Sequence, residues 1–466
     1  MKRIWTYLSS AKFLIALFFL IGLENILLPP FDNHGWRQTL TLSIAENFLD
    51  YPNIFYPRMD IGNETEGIIA CEFPILNYLI TICFKIFGVN FWSGRLVNWT
   101  VTCIGLWFFY DLVKKTLNPR AALFALLAIM GSIVMEYARK SMPDTFALSL
   151  SVAGAWFLWN YLENQSRKYL LIGFFLTTLG ILSKIPFLVM LTFLVIPFLD
   201  KQIDLKAKRI VTVTLGLTMA CVGWWYFYWM PFLIQQYGNQ LIWPVSFEEG
   251  WRIVIEQHAS ESWHSLVHSP FQYKIPFLIS IMGMGLVLTG ENSKLKWFTL
   301  LYVLLYFAFA LKTGIVFPTH EYYIIPLVPL LALFFGHFFD RLQWKQVYSV
   351  SLVILLLAPS YIYNKKRSFS PVPNRAYLMT LSDIMDKYTK PTDKIMVNDG
   401  SYSPTLMYWA KRKGWTVNQD VPAKSTWMPA FQKQGLKYIL MDRHSSDEAL
   451  PYKLLYEDEH FRLYEL

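Results

Sequence analysis

Three acidic residues lie close to the ends of apolar stretches, and each could act as a general base. Asp32 follows the first apolar stretch, Glu72 precedes Phe-Pro, and Asp144 ends the run Arg-Lys-Ser-Met-Pro-Asp. Carboxylates at the edge of a membrane are costly, so three of them indicate a function. Such a base could take the proton of an attacking hydroxyl. The alternative for each is a helix cap, and Asp32 in particular could be the N-cap of the helix that follows it.

Cationic and hydroxyl groups accompany these acids, and they could bind a phosphate through charge-assisted hydrogen bonds. The residues with this predicted role are Lys184, Arg139, His320, Arg37 and Tyr322. Lys184 lies at the junction of two apolar stretches, and Lys312 lies at the end of another. The alternative for both lysines is that the ammonium only extends along an apolar surface to reach water.

A divalent metal site is the weaker interpretation of a third group. Ser246 and Glu249 have the spacing of a capping box, and a helix carrying Glu261, His264 and His268 should follow. These three side chains share one helix face and could ligate a metal. No fourth ligand is evident in the sequence, so we expect polar surface here and name no cofactor.

Eleven apolar stretches must position these residues. Because about 20 apolar residues are needed to cross a bilayer, we predict a polytopic α-helical membrane protein with about eleven transmembrane helices. The predicted spans are residues 11–29, 96–113, 120–137, 145–162, 169–183, 185–199, 210–230, 274–290, 296–311, 322–339 and 347–363.

Two helices are expected at the membrane surface rather than across it. Residues 73–87 are too short to span and contain a lysine. The helix after Asp32 places Trp36, Leu40, Ile44 and Phe48 on one face, which is typical of an interfacial helix.

Positive charge predicts the orientation, because short cytoplasmic loops are rich in Lys and Arg. If residues 73–87 do not cross, the basic loops fall on one side, including residues 1–3, 114–120, 201–209 and 341–345. The amino terminus is then cytoplasmic, while the three acids and the carboxyl terminus are outside. Residues 365–367, Lys-Lys-Arg, violate this rule.

Composition agrees with an integral membrane protein. Of 466 residues, 54% are hydrophobic and only 16% are charged, which is low for a soluble domain. The net charge of +9 suits membrane lipids. No basic stripe with interleaved aromatics points to nucleic acid. Four cysteines show no disulfide or metal spacing, and the first apolar stretch reads as a retained anchor.

A second domain is predicted after the last span. We divide the chain into a transmembrane domain over residues 1–363 and a small extracytoplasmic α/β domain over residues 364–466. Strand-like runs cover 394–397, 416–418, 437–441 and 461–464, and helical patterns cover 404–411 and 429–434. Asp399 and Ser401 lie close together, but Asp-Gly indicates a turn. We therefore expect this domain to influence acceptor choice and not to carry the chemistry.

At these positions the chain resembles GT-C membrane glycosyltransferases, especially bacterial relatives of protein O-mannosyltransferases and of the lipid A aminoarabinose transferase. The resemblance covers residues 1–363. It is carried by Asp32, the Arg-x-x-x-Pro-Asp pattern, Lys184, the helix after Glu72, the step from Gly88 to Arg95, and His-Glu-Tyr-Tyr at 320–323 with prolines at 326 and 329.

The resemblance implies an enzyme that takes a sugar from a polyprenyl-phosphate donor and attaches it to an acceptor hydroxyl with inversion. Asp32 would be the base, with Asp144 and Glu72 as further catalytic acids. Lys184, Arg139 and His320 would stabilise the leaving phosphate, usually without a metal. The acceptor could be a glycan, a lipid or a protein, and the location a bacterial inner membrane. A transporter or flippase of a lipid-linked or anionic substrate is the alternative.

Overall fold

The computed structural model describes residues 10–62, 66–400, 403–418, 426 and 428–466. The predictions that rest on residues 1–3 and on Ser401 lie outside these described residues. By internal contacts the chain divides into two units. The helical unit comprises Met1–Ile26, Arg95–Tyr228 and Ile242–Ser370. The sheet unit comprises Leu27–Gly94, Trp229–Leu241 and Pro371–Leu466.

Most of the chain is helical. The α-helices are, in chain order, α1 (Ala11–Gly22), α2 (Gly35–Asp50), α3 (Ile75–Phe87), α4 (Trp92–Thr116), α5 (Pro119–Met130), α6 (Ile133–Ala138), α7 (Pro143–Asn164), α8 (Arg167–Ser183), α9 (Val195–Phe198), α10 (Leu205–Trp224), α11 (Met230–Tyr237), α12 (Phe247–Trp251), α13 (Ala259–His268), α14 (Lys274–Thr289), α15 (Ser293–Thr313), α16 (Val316–Thr319), α17 (Val328–Arg341), α18 (Gln346–Phe369), α19 (Leu381–Tyr388), α20 (Thr405–Ala410) and α21 (Met428–Lys433). Tighter or wider helical turns join them at Ile185–Leu194, Trp225–Trp229, Arg252–Gln257, Glu321–Leu327 and Pro373–Thr380.

Five helical segments of the described chain are long and apolar enough to cross a membrane. They are Trp92–Thr116, Leu205–Tyr237, Ser293–Thr313, Glu321–Arg341 and Gln346–Tyr388. Shorter apolar helices are Ala11–Gly22, Ile75–Phe87, Pro119–Met130, Ile185–Phe198 and Lys274–Thr289. Helical segments form within every predicted span, whereas the count of eleven crossings stays a prediction. The helix predicted over 73–87 is present as α3, and its placement at the membrane surface also stays a prediction.

Helices α7 and α8 form a closely packed antiparallel pair. A Cβ atom on Gly154 of α7 would lie 2.3 Å from the hydroxyl of Thr177, and one on Gly180 of α8 would lie 2.4 Å from the hydroxyl of Ser151. Small residues thus let the two backbones approach, as in many membrane helix pairs. Because the pair is antiparallel, the first turn of α7 and the last turn of α8 lie at the same end.

The sheet has five strands in the order β2-β1-β3-β5-β4. The strands are β1 (Lys394–Val397), β2 (Lys413–Thr416), β3 (Leu436–Asp442), β4 (Lys453–Glu457) and β5 (Phe461–Glu465). Strand β1 pairs in parallel with β2 and β3, while β5 is antiparallel to β3 and β4. One face buries Met396, Trp415, Ile439, Met441 and Tyr464. This apolar face provides the core of a small α/β layer.

The predicted strands agree with β1, β3 and β5, and two differences have physical causes. The run predicted at 416–418 is displaced, because β2 begins earlier and includes Gly414. A Cβ at Gly414 would lie 1.8 Å from the Ile395 carbonyl oxygen, so only glycine allows this close approach. Strand β4 was not predicted, and its side chains are exposed or half-buried, which leaves little apolar signal.

The contact-based division differs from the predicted boundary between residues 363 and 364. The break falls at Ser370 and Pro371, and residues 27–94 group with the carboxyl-terminal segment. Within the sheet unit, direct contacts join residues 27–94 to the carboxyl-terminal segment. The Gly414 N–H donates to the Asp60 carbonyl at 3.0 Å, and the Lys411 ammonium pairs with Glu46 at 2.6 Å.

Helix α2 does not have the one-sided burial expected of an interfacial helix. Leu40, Ile44 and Phe48 are buried as the pattern requires, but Thr39 and Ser43 are buried as well. Most of the helix circumference is therefore covered by protein. The sequence pattern shows only where the apolar side chains lie. The burial of the polar side depends on tertiary packing, which the pattern does not contain.

Candidate active site

In the helical unit, Asp144 and Lys184 form a buried ion pair. The ammonium nitrogen lies 2.5 Å from Asp144 Oδ1, and the two side chains are 8% and 2% exposed for Lys184 and Asp144, respectively. Asp144 lies in the first turn of α7, where a negative charge suits the helix dipole. Lys184 follows α8 in an extended conformation, and Pro186 lies in the first turn of the tighter helix that begins at Ile185. The ammonium does not extend to water.

Two tyrosine rings flank this ion pair. The Lys184 nitrogen lies 4.6 Å from the centre of the Tyr322 ring and 5.0 Å from that of Tyr323. The faces of aromatic rings attract cations, and more strongly where water is excluded. The predicted neighbours Asp144, Lys184 and Tyr322 are therefore brought together.

His320 lies beside the same cluster. Its ring centre is 5.5 Å from that of Tyr322, and its Nδ1 is 2.8 Å from the Thr319 hydroxyl. Burial and the Lys184 ammonium hold the pKa of His320 below its usual range. The imidazole is therefore neutral at pH 7 and offers hydrogen bonding in place of the predicted positive charge.

Arg139 is buried in the same unit, directly after the last residue of α6. Its guanidinium donates to the Ser368 carbonyl at 3.1 Å and stacks 3.7 Å from the centre of the Phe369 ring. These contacts fix the guanidinium against the end of α18. Its role with a phosphate stays a prediction.

Sequence reasoning missed a second ionic group in this unit. Arg367 donates to both carboxylate oxygens of Glu321 and lies 3.3 Å from Glu136. Glu136 is also 3.3 Å from the Lys140 ammonium, and both side chains are fully buried. The Tyr137 hydroxyl donates to Glu321 at 3.1 Å. The network joins the segment before Asp144 to the segment after His320.

Two of the three basic residues that violate the orientation rule have acidic partners. Arg367 pairs with Glu321, as above, and Lys365 pairs with Glu24 at 2.7 Å. Their place in the run Lys-Lys-Arg, against the charge rule, was the available clue to this ionic group.

In the sheet unit, Asp32 is buried and accepts a hydrogen bond from a side-chain amide. The Gln38 side-chain amide donates to Asp32 Oδ1 at 2.6 Å, and Asp32 is 7% exposed. The N-cap of α2 is His34, in a left-handed conformation and without a capping bond from its side chain. The alternative that Asp32 is that N-cap is therefore wrong, because two further residues separate it from the helix.

Arg37 and Glu72 form an ion pair in the same unit. The distance from the Arg37 guanidinium to Glu72 Oε2 is 2.7 Å, and the two side chains are 10% and 13% exposed. Arg37 precedes Gln38 on α2, so one helical turn carries the partners of both Glu72 and Asp32. A pairing of the guanidinium with a carboxylate was not predicted.

The metal interpretation gains no ligand set. Ser246 caps its helix as predicted, because its hydroxyl accepts from the Glu249 N–H at 3.0 Å. His264 and His268 stack with ring centres 4.4 Å apart, and Glu261 faces His258 at 3.9 Å. Within the described residues, no three His, Cys, Asp or Glu side chains converge as a metal ion would require.

Two further carboxylates follow the parallel strands of the sheet unit. Asp399 follows β1 and accepts from the Ser403 hydroxyl at 2.7 Å. Burial raises the pKa of Asp399 to about 6, and burial also raises the pKa of Asp442 at the end of β3. Asp399 can therefore change its protonation state near pH 6. The ion pairs described above lie in other parts of the chain.

Part of the chain matches a known family. Residues 72–227 match the family of dolichyl-phosphate-mannose-protein mannosyltransferases. No curated protein matches the chain by sequence.

Solved structures are similar over nearly the whole chain. ArnT from Cupriavidus metallidurans in the apo state is 13% identical with a TM-score of 0.60, covering 100% of this chain and 98% of that one. ArnT bound to undecaprenyl phosphate is 14% identical with a TM-score of 0.62, covering 99% and 98%. The apo oligosaccharyltransferase of Archaeoglobus fulgidus is 12% identical with a TM-score of 0.62, covering 94% and 70%.

The predicted resemblance is confirmed: the chain has the fold of GT-C membrane glycosyltransferases. Within that class it is similar to the protein mannosyltransferase and ArnT superfamily. The predicted enzyme class, a glycosyltransferase, and the location in a membrane are confirmed at this coarse level.

Proposed function

We propose that the chain transfers a sugar from a polyprenyl-phosphate donor to an acceptor hydroxyl on the outer side of a bacterial membrane. The observation that carries the proposal is the buried pair of Asp144 and Lys184, flanked by Tyr322 and Tyr323. A buried charge pair is a weak source of stability. A similar fold is seen in a protein bound to undecaprenyl phosphate. We therefore assign the pair a role in binding the donor phosphate.

Lys184 is the proposed electrostatic partner of the leaving phosphate. An ammonium has three donors, and Asp144 and the two rings hold it in a dry environment where charge interactions are strong. Negative charge grows on the phosphate as its bond to the sugar breaks, and a preorganised cation stabilises that charge. Neutral His320 would supply a hydrogen bond, and Arg139, Arg37 and Tyr322 would supply further donors.

Asp32 is the proposed base. The Gln38 side-chain amide donates a hydrogen bond that fixes the direction of the Asp32 carboxylate. An ammonium favours the ionised form of a carboxylate and weakens it as a base, so Asp144, paired with Lys184, is the weaker candidate. Glu72, paired with Arg37, is a weaker candidate for the same reason.

The proposed reaction is a single displacement. The acceptor oxygen forms a bond to the anomeric carbon while the bond from that carbon to the phosphate oxygen breaks. The proton of the acceptor hydroxyl moves to Asp32, and polyprenyl phosphate leaves with the bonding electrons. One displacement inverts the anomeric configuration. A metal has no assigned step, and no finding favours the transporter alternative.

The test uses the purified full-length protein in lipid nanodiscs with a radiolabelled sugar on polyprenyl phosphate. We expect slow release of the sugar to water and faster transfer when the native membrane extract supplies the acceptor. A donor panel of several sugars is needed, since the sugar is not defined. Transport of the intact donor into sealed vesicles, without cleavage, would contradict the proposal and favour a flippase.

A further inference from the structure

A cleft lies entirely within the sheet unit. It has a volume of about 1010 Å³ and is lined by the segment that follows α2 and by the end of α11. Aromatic rings form much of its wall: Tyr51, Phe55, Tyr56 and Tyr237. Ligand pockets commonly have volumes of about 300–1,000 Å³, so this cleft could hold a ligand of several rings.

Two of these aromatic side chains are exposed to solvent. Tyr51 is 45% exposed and Phe55 is 42% exposed. Phe55 is fixed by Trp229. The indole N–H of Trp229 donates to the Phe55 carbonyl at 2.8 Å, and the Trp229 ring contacts the Phe55 ring edge-on, with 6.0 Å between the ring centres. Trp229 also contacts the Tyr56 ring at 5.3 Å. Trp229 thus holds the exposed Phe55 ring in place before a ligand arrives.

Polar side chains line the same cleft. The Arg58 guanidinium lies 4.1 Å from the centre of the Tyr51 ring and 2.6 Å from Glu66. Asp50, Asn53 and Gln236 also line the cleft. The Lys413 ammonium also lies 5.6 Å from the centre of the Tyr51 ring, so two cations balance the two carboxylates. The cleft therefore has no excess of positive charge and is poorly suited to a phosphate or an acidic ligand.

This combination fits a carbohydrate. A sugar ring presents C–H groups on its faces, which the negative face of an aromatic ring attracts, and hydroxyl groups on its rim, which amides, carboxylates and guanidinium groups can bind. We propose that the cleft binds a neutral or amino-sugar oligosaccharide. That this oligosaccharide is the acceptor rests on the function proposed above, whereas the binding itself does not.

Lipid is the alternative occupant, because aromatic residues also gather where a protein meets the membrane surface. Rings that serve this purpose lie against lipid at the level of the head groups. The cleft has polar groups between its rings, which favours the saccharide. Lipid contact is therefore the outcome against which the experiment is designed.

The experiment measures saccharide binding by full-length protein in phosphatidylcholine nanodiscs, using saturation-transfer NMR. The probes are maltotriose, mannotriose, chitotriose and the acidic trisaccharide of galacturonate. We expect saturable binding of at least one of the first three, and about tenfold weaker binding in Phe55→Ala. Tyr51→Ala is the second variant, in case Phe55→Ala lowers the yield of folded protein.

Leu454→Ala is the matched control, because Leu454 is an apolar side chain of the same unit with 47% exposure and lies outside the cleft lining. Its binding should equal that of the unmodified protein. Absence of binding by all three neutral or amino probes, binding of the acidic probe alone, or equal binding in all variants would overturn the proposal.

The same preparation is assayed for release of sugar from polyprenyl-phosphate donors. Donor cleavage without saccharide binding would remove the cleft proposal and leave the proposed function intact. Saccharide binding that depends on Phe55, in a protein that cleaves no donor, would support the cleft and contradict the proposed function.

Discussion

The buried carboxylates Asp144 and Asp32 differ in their partners. Asp144 of the helical unit faces the Lys184 ammonium at 2.5 Å, whereas Asp32 of the sheet unit accepts from the neutral Gln38 amide at 2.6 Å. The Lys184 ammonium favours the ionised form of Asp144 and weakens it as a base, while the hydrogen bond from Gln38 holds the direction of the Asp32 carboxylate. The comparison suggests a division of labour, with binding at Asp144 and Lys184 and proton transfer at Asp32.

The largest expected effect comes from Asp32→Asn. This change keeps the shape of the side chain but removes the base, so sugar transfer should fall by roughly 10²- to 10⁴-fold. The measurement is the turnover rate with saturating donor, per molecule of folded protein.

Asp60→Asn is the matched control for this variant. Asp60 is another carboxylate of the sheet unit with neutral partners, the hydroxyl of Ser43 at 2.6 Å and the amide of Asn47 at 2.9 Å. Its replacement should leave the turnover rate within a few-fold. Equal losses in the two variants would mean that the unit is sensitive to any buried carboxylate.

The next effect concerns the ammonium. Lys184→Met keeps the apolar length of the side chain and should weaken donor binding about 10- to 100-fold, because a charge-assisted contact is lost. Equilibrium binding of labelled donor is the measurement.

Two controls separate charge from folding. Lys312→Met removes a lysine of the same unit whose ammonium donates to the Val245 carbonyl at 2.7 Å, and it should bind donor normally. The double variant Asp144→Asn with Lys184→Met restores neutrality. If that double variant bound donor as well as the unmodified protein, the ion pair would have only a structural role.

A stability effect is expected from Arg367→Met. It leaves Glu321 and the fully buried Glu136 without their guanidinium partner. Because Arg367 is 21% exposed, we expect a loss of about 1–3 kcal/mol, less than for a fully buried pair. Thermal unfolding followed by tryptophan fluorescence measures it. The adjacent exposed Lys366, changed to Met, should unfold like the parent protein; an equal loss there would point to α18 itself.

The smallest effect is a pH dependence in the sheet unit. Burial raises the pKa of Asp399 from 3.8 to about 6, so the folded state holds a proton in this window that the unfolded state has released. Stability should therefore fall as the pH rises from 3.8 to 6 and then level off. We expect about 1–2 kcal/mol, and Asp399→Asn should flatten this part of the profile. A profile unchanged in that variant would assign the dependence to other groups.

Local features were predictable from the sequence, and tertiary pairings were not. Apolar runs were sufficient for helical segments within the predicted spans, and strand-like runs were sufficient for β1, β3 and β5. The partner of Lys184 lies 40 residues away, and only the antiparallel packing of α7 and α8 brings it close. Likewise, the cap prediction for Asp32 failed because the left-handed His34 lies between Asp32 and α2.

The division between binding and proton transfer is tested most directly by one paired measurement. Donor affinity and single-turnover rate are determined on the same samples of Asp32→Asn and Lys184→Met. The two variants should differ in which quantity changes. Asp32→Asn should bind donor like the unmodified protein but turn over at least 100-fold more slowly, whereas Lys184→Met should lose donor affinity. Asp32→Asn with an unchanged single-turnover rate would contradict the role of Asp32 as the base.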